Sequence, residues 1–93
     1  MKVHELLEAE ERSVLSVMGK QPDHVSDGFD CSDNELTSLE GAPSSVGSDY
    51  YCHNNKLISL EGGPTSVGGY YYCYDNKLTS LKGGPTSVGN SFY

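Results

Sequence analysis

The apolar residues of this chain recur on a fixed beat. Cys31, Cys52 and Cys73 stand 21 residues apart, as do Leu36, Leu57 and Leu78, and Leu39, Leu60 and Leu81. Val25, Val46, Val67 and Val88 keep the same step, and so do the ring positions Phe29, Tyr50, Tyr71 and Phe92. Polar and turn residues follow it too: Asn34, Asn55 and Asn76, then Gly41, Gly62 and Gly83, then Pro43, Pro64 and Pro85. So many positions agreeing on one period exclude composition bias and make the repeat the first fact about the fold. The unit reads P-x-x-V-x-x-x-[FY]-x-C-x-x-N-x-L-x-S-L-x-G-x.

Within each unit Phe29-Asp30-Cys31, Tyr50-Tyr51-Cys52 and Tyr71-Tyr72-Cys73 alternate with period two. That predicts a short strand with one face buried. The Asn three residues after each Cys turns the chain out of the strand, and two leucines then point inward. Gly-x-Pro forces an extended return, because Pro fixes φ and pushes its predecessor away from helix. A single unit cannot bury its apolar face, but stacked units can, with parallel strands about 4.8 Å apart. The expected architecture is a repeat solenoid of about three and a half turns over residues 21–93.

The pattern Tyr71-x-Cys73-x-x-Asn76-x-Leu78 with Leu81, and its equivalents in the earlier units, resembles the leucine-rich repeat. The brevity of the unit and the Leu-Thr-Ser-Leu stretch followed by Pro and Val are similar to the short bacterial and phage type. The resemblance covers residues 22–93 and implies a short parallel β-sheet with extended return loops. It departs from the family in placing aromatic residues at the first strand position. It also implies that the concave sheet face is the binding surface.

Residues 1–20 read as a separate acidic cap. Val3, Leu7, Val14 and Met18, with Leu6 and Leu15 beside them, form an apolar stripe that predicts helix over residues 2–18. A break near Arg12 and Ser13, giving two short helices, is the alternative. Leu15 lies one period before Leu36 and Met18 one before Leu39, so Val14–Pro22 reads as a degenerate half-repeat or a cap that copies the core contacts. A stacked array needs such a cap over its first strand. At the other end Ser91, Phe92 and Tyr93 begin a fourth strand whose edge is open, and an open edge is a template for pairing.

Charge changes the picture of partners. The net charge is −7, with 13 acidic and 6 basic residues in 93. Residues 1–40 hold ten acids against Lys2, Arg12 and Lys20, while residues 41–93 balance at zero. Direct nucleic-acid binding needs a basic footprint that is missing here. The sequence has no apolar run near the ~20 residues of a membrane span and no leader-like start, so no membrane contact is expected. Three Cys, an odd number, point to a reducing bacterial or phage-infected host cytosol.

Candidate chemistry is sparse. The Cys row reads as small core hydrophobes rather than a metal site with His53 as fourth ligand, because the repeat sets the thiols in line instead of converging them. The Asn row reads as a buried amide ladder that stitches unit to unit. Nothing pairs a nucleophile with a base around His4, His24 or His53, so no catalytic residues, cofactor or metal are expected. Gly62-Gly63 and Gly83-Gly84 recur with the period and lack the lysine and helix of a phosphate loop.

The tyrosines carry the functional expectation. With Tyr71 and Cys73 inward, Tyr70, Tyr72 and Tyr74 point outward, joined by Tyr51 and His53 on the strand before, Asp30 earlier and Tyr93 after. Five tyrosines then share one face, and exposed contiguous aromatics mark interfaces. The expected function is a non-enzymatic protein-binding module that uses this face and the open C-terminal edge, with self-association into a homodimer through that edge. The alternative is a small acidic phage-encoded inhibitor of a host nuclease or defence complex, of the anti-CRISPR or anti-restriction type. Its motive is the run Glu5, Glu8, Glu10 and Glu11.

Overall fold

A computed structural model describes residues 12–93. Seven two-residue strands follow one short helix: α1 (Val14–Met18), β1 (His24–Val25), β2 (Phe29–Asp30), β3 (Ser45–Val46), β4 (Tyr50–Tyr51), β5 (Ser66–Val67), β6 (Tyr71–Tyr72) and β7 (Ser87–Val88). They form two parallel sheets, ordered β1-β3-β5-β7 and β2-β4-β6, where the sequence predicted one sheet and extended returns. The return segments His24–Val25, Ser45–Val46, Ser66–Val67 and Ser87–Val88 pair as well, because each lies in register beside its like in the next unit. The pairing follows the sequence period: His24 opposes Ser45, Phe29 opposes Tyr50, and Tyr50 opposes Tyr71. The second ladder runs beyond its named strands. Cys31 donates to the Tyr51 carbonyl at 2.8 Å, Cys52 to that of Tyr72 at 2.8 Å, and Cys73 to that of Tyr93 at 2.7 Å. A bridge between Tyr71 and Phe92 begins the expected fourth step of this ladder.

The core lies between the two sheets as columns of like residues. Leu36 and Leu57, Leu39 and Leu60, Val46 and Val67, and Tyr50 and Tyr71 are all buried. The rings of Phe29, Tyr50, Tyr71 and Phe92 follow one another with centroids 6.0, 4.9 and 4.9 Å apart; the outer two pairs are stacked and Tyr50–Tyr71 is tilted by 52°. All three cysteines are free thiols in this core. Burial pushes the Cys31 thiol up to about 11 and raises those of Cys52 and Cys73 as well. They therefore stay protonated and inert, as small apolar side chains do.

The Asn row forms a ladder, buried at Asn55 and half-buried at Asn34 and Asn76. Asn55 Nδ2 donates to the carbonyls of Cys31 and Cys52 at 3.1 and 2.9 Å, joining two units. Its Oδ1 accepts the backbone N–H groups of Asn34 and Leu36. Asn76 repeats the pattern one unit later, with Nδ2 on Cys52 and Cys73 carbonyls and Oδ1 on Leu57 N–H. The turn that brings each amide inward passes through left-handed backbone at Asp33, Asn54 and Asp75, with φ of 57°, 54° and 54°. Asx residues tolerate that region better than other non-glycine types.

The N-terminal reading needs correction. Among the described residues the helix has only five residues, and the expected helical cap over residues 2–18 is not present in them. Residues 1–11 lie outside the described residues, and with them Val3, Leu6, Leu7 and His4. Ser13 caps α1 by accepting from Ser16 N–H, so the helix begins where the alternative put a break. The half-repeat register also differs. Arg12 bonds to Thr37, a separation of 25 residues, and Leu15 N–H donates to the Glu40 carbonyl. The fully buried residue is consequently Val14, while Leu15 and Met18 are 44% and 39% exposed. The segment around Val14 meets the first unit at a 25-residue offset, so the 21-residue period does not govern its contacts.

The last unit differs from the earlier ones in one respect. Leu81, equivalent to the buried Leu39 and Leu60, is 60% exposed, and Phe92 is 38% exposed. The columns stop there with nothing stacked on them among the described residues.

Candidate functional site

Strand alternation sends Tyr50 and Tyr71 into the core and Tyr51 and Tyr72 to the opposite face. Parallel, in-register pairing then places Tyr51 against Tyr72. Their rings stack with centroids 5.1 Å apart and planes 6° from parallel. Tyr93 continues the column from Tyr72 at 5.3 Å and 7°. The period sets this spacing, because stacked rings inherit the separation of adjacent strands.

A second column stands two residues further along each strand. His53 stacks on Tyr74 with centroids 4.6 Å apart, and meets Tyr51 and Tyr72 edge-on. Tyr70 flanks the other side, stacked on Tyr72 and Tyr93 at 5.8 and 6.1 Å. The expected residues Tyr51, His53, Tyr70, Tyr72, Tyr74 and Tyr93 therefore meet in one aromatic sheet. Tyr74 and Tyr93 are exposed and the other four are half-buried against each other. The face presents ring edges and hydroxyls more than open ring planes. His53 Nδ1 is buried with no hydrogen-bond partner among the described residues.

Asp30 shares the face but not the ring contacts. It pairs in register with Tyr51, and its Oδ1 accepts the Ser32 N–H and hydroxyl. Asp49, which the sequence reading did not single out, is part of the site. Its Oδ1 accepts the Tyr70 N–H at 2.8 Å and its Oδ2 the Tyr51 hydroxyl at 3.1 Å. The signal was an acid two residues before an outward tyrosine on one strand, which period two puts on the same side. The hydrogen bond to Asp49 holds the Tyr51 phenol above its ordinary pKa. Burial raises that of Tyr72, and the charge of Asp49 adds to it.

Chemically the face offers contact area, phenol donors and fixed carboxylates. The tyrosines are ordered before any partner arrives, so binding sacrifices little side-chain entropy. Comparison with family models, with curated proteins and with solved structures returns no match.

Proposed function

We propose that the chain is a non-enzymatic protein-binding module, a short solenoid of leucine-rich-repeat type that holds its partner on the tyrosine face. The observation that carries this reading is the stacked column Tyr51–Tyr72–Tyr93, pinned at its start by Asp49. Cross-strand stacking stabilises a sheet wherever it occurs. It does not account for six rings gathered on the solvent side, where a binding face profits from rigid amphipathic groups. Three free thiols fit a reducing compartment such as a bacterial or infected-host cytosol.

The test is affinity capture with wild-type protein and a Tyr51→Ala/Tyr72→Ala variant, with captured chains identified by mass spectrometry. The expected result is one or a few chains held by the wild type and lost from the variant. Capture unchanged by the double substitution overturns the reading.

Self-association is a second reading with its own observation. Leu81 and Phe92 are uncovered at positions that each earlier unit buries, beside the open ladder edge. A second copy supplies the same columns, so the two ends match chemically. The acidic-inhibitor reading has its motive in Glu5, Glu8, Glu10 and Glu11, which lie outside the described residues.

A further inference from the structure

The outer tyrosine column has a defined beginning. Tyr51 stacks one ring plane on Tyr72, nearly parallel, which turns its opposite plane toward β2. There the in-register residue is Asp30, not an aromatic. No ring covers that plane of Tyr51 among the described residues. The face thus steps down by one side-chain height, from a wall of Tyr51 to a ledge of Asp30 and Ser32.

The ledge is ordered and charged. Asp30 Oδ1 is held by the Ser32 N–H at 2.9 Å and by the Ser32 hydroxyl. Oδ2 has no hydrogen-bond partner among the described residues, and Asp30 is exposed. Asp49 already holds one donor on each oxygen, the Tyr70 N–H and the Tyr51 hydroxyl, whereas Asp30 leaves Oδ2 free among the described residues. Asp49 does add negative field beside the ring. Arg12 directs its Nε to the Asn34 carbonyl at 3.1 Å.

We infer that this ledge seats the guanidinium of an arginine side chain from the bound protein, flat on the open plane of Tyr51 and paired with Asp30 Oδ2. A planar, weakly hydrated guanidinium stacks on a ring and bonds a carboxylate at its edge in one pose. A lysine ammonium is compact and strongly hydrated, and fits this right-angled site less well. The occupant is cationic because the chain carries a net charge of −7 and the ledge presents a carboxylate with a free oxygen. The inference rests on the reading of the tyrosine face as a protein-binding surface and names the residue type that face recognises.

The test uses the full chain, uniformly labelled for NMR, titrated with capped tri-arginine and, separately, capped tri-lysine peptides. The expected shifts centre on Asp30, Ser32 and Tyr51, with tri-arginine binding about two- to fivefold tighter than tri-lysine. Asp30→Asn keeps the Oδ1 acceptor for Ser32 and removes the charge, and weakens tri-arginine binding by a similar factor. Tyr51→Leu abolishes the arginine preference, while Tyr51→Phe, which keeps the ring, retains it. Equal affinity for the two peptides, shifts centred on residues 1–11, or an unchanged Asp30→Asn variant each overturn the inference. If capture is lost from the double alanine variant while the peptides bind elsewhere, only the arginine seat fails. If capture survives that variant, the broader reading fails.

Discussion

Asn55 binds Leu36 across the unit boundary: its Oδ1 accepts the Leu36 N–H at 2.9 Å while its Nδ2 donates to the Cys31 and Cys52 carbonyls. One amide thus satisfies backbone groups of two successive units in a site where water cannot replace it. Asn55→Ala leaves those groups unpaired and costs about 1–3 kcal/mol. Asn76→Ala costs less, because Asn76 is only half-buried. Urea unfolding of both variants checks the order.

Leu60 and Leu81 are the same residue in successive units, one fully buried and one 60% exposed. Leu60→Ala should lose about 2–5 kcal/mol, whereas Leu81→Ala should lose under about 1 kcal/mol. Equal losses would mean that Leu81 is covered in solution.

That outcome bears on self-association. Light scattering across a concentration series reads it directly. The expected result is dimer in the wild type and monomer for Leu81→Glu or Phe92→Glu. A dimer that survives both substitutions rules out the exposed end of the columns as its interface.

Gly62 has φ of 88°, and a Cβ there would sit 2.8 Å from Glu40 N. Both the backbone region and the space favour glycine. Gly62→Ala should cost more than about 1 kcal/mol in thermal or urea unfolding.

Alkaline pH should unfold the chain early. Burial pushes the Cys31 thiol from 9.0 up to about 11, and raises Cys52, Tyr50 and Tyr71 in the same direction. The folded chain keeps these protons where the unfolded chain has released them. Their contribution is whole below the unfolded thiol value of 9.0 and falls as pH rises through about 11. The urea midpoint should hold steady up to about pH 8 and fall above about pH 9. Cys31→Val should flatten part of that fall.

Much of this arrangement was legible in the residues. A 21-residue period, read with alternation about each Cys, placed Tyr50, Tyr71 and the thiols inward and Tyr51, Tyr72 and Tyr74 outward. Parallel pairing in register follows, because only that stacking puts like residues over like. The inward Asn row followed from its fixed distance to the Cys. Asp49 was legible only through its alternation with Tyr51, since it has no equivalent acid in the other units. Its role arises from two contacts, one of them to the next unit.

The sequence alone therefore determined the register, the composition of each column and the face each side chain takes around the Cys row, whereas the pairing of the return segments into a second sheet came from the tertiary structure. Periodicity encodes these because every unit has the same neighbours. Tertiary structure alone decided what happens where the period ends. Val14 rather than Leu15 or Met18 seals the first unit, because docking at a 25-residue offset replaces coiling at 21. Leu81 and Phe92 are uncovered because burial comes from the following unit, not from the residue itself. The open plane of Tyr51 has the same origin: a ring is covered only if the strand before it supplies another, and there the chain supplies Asp30.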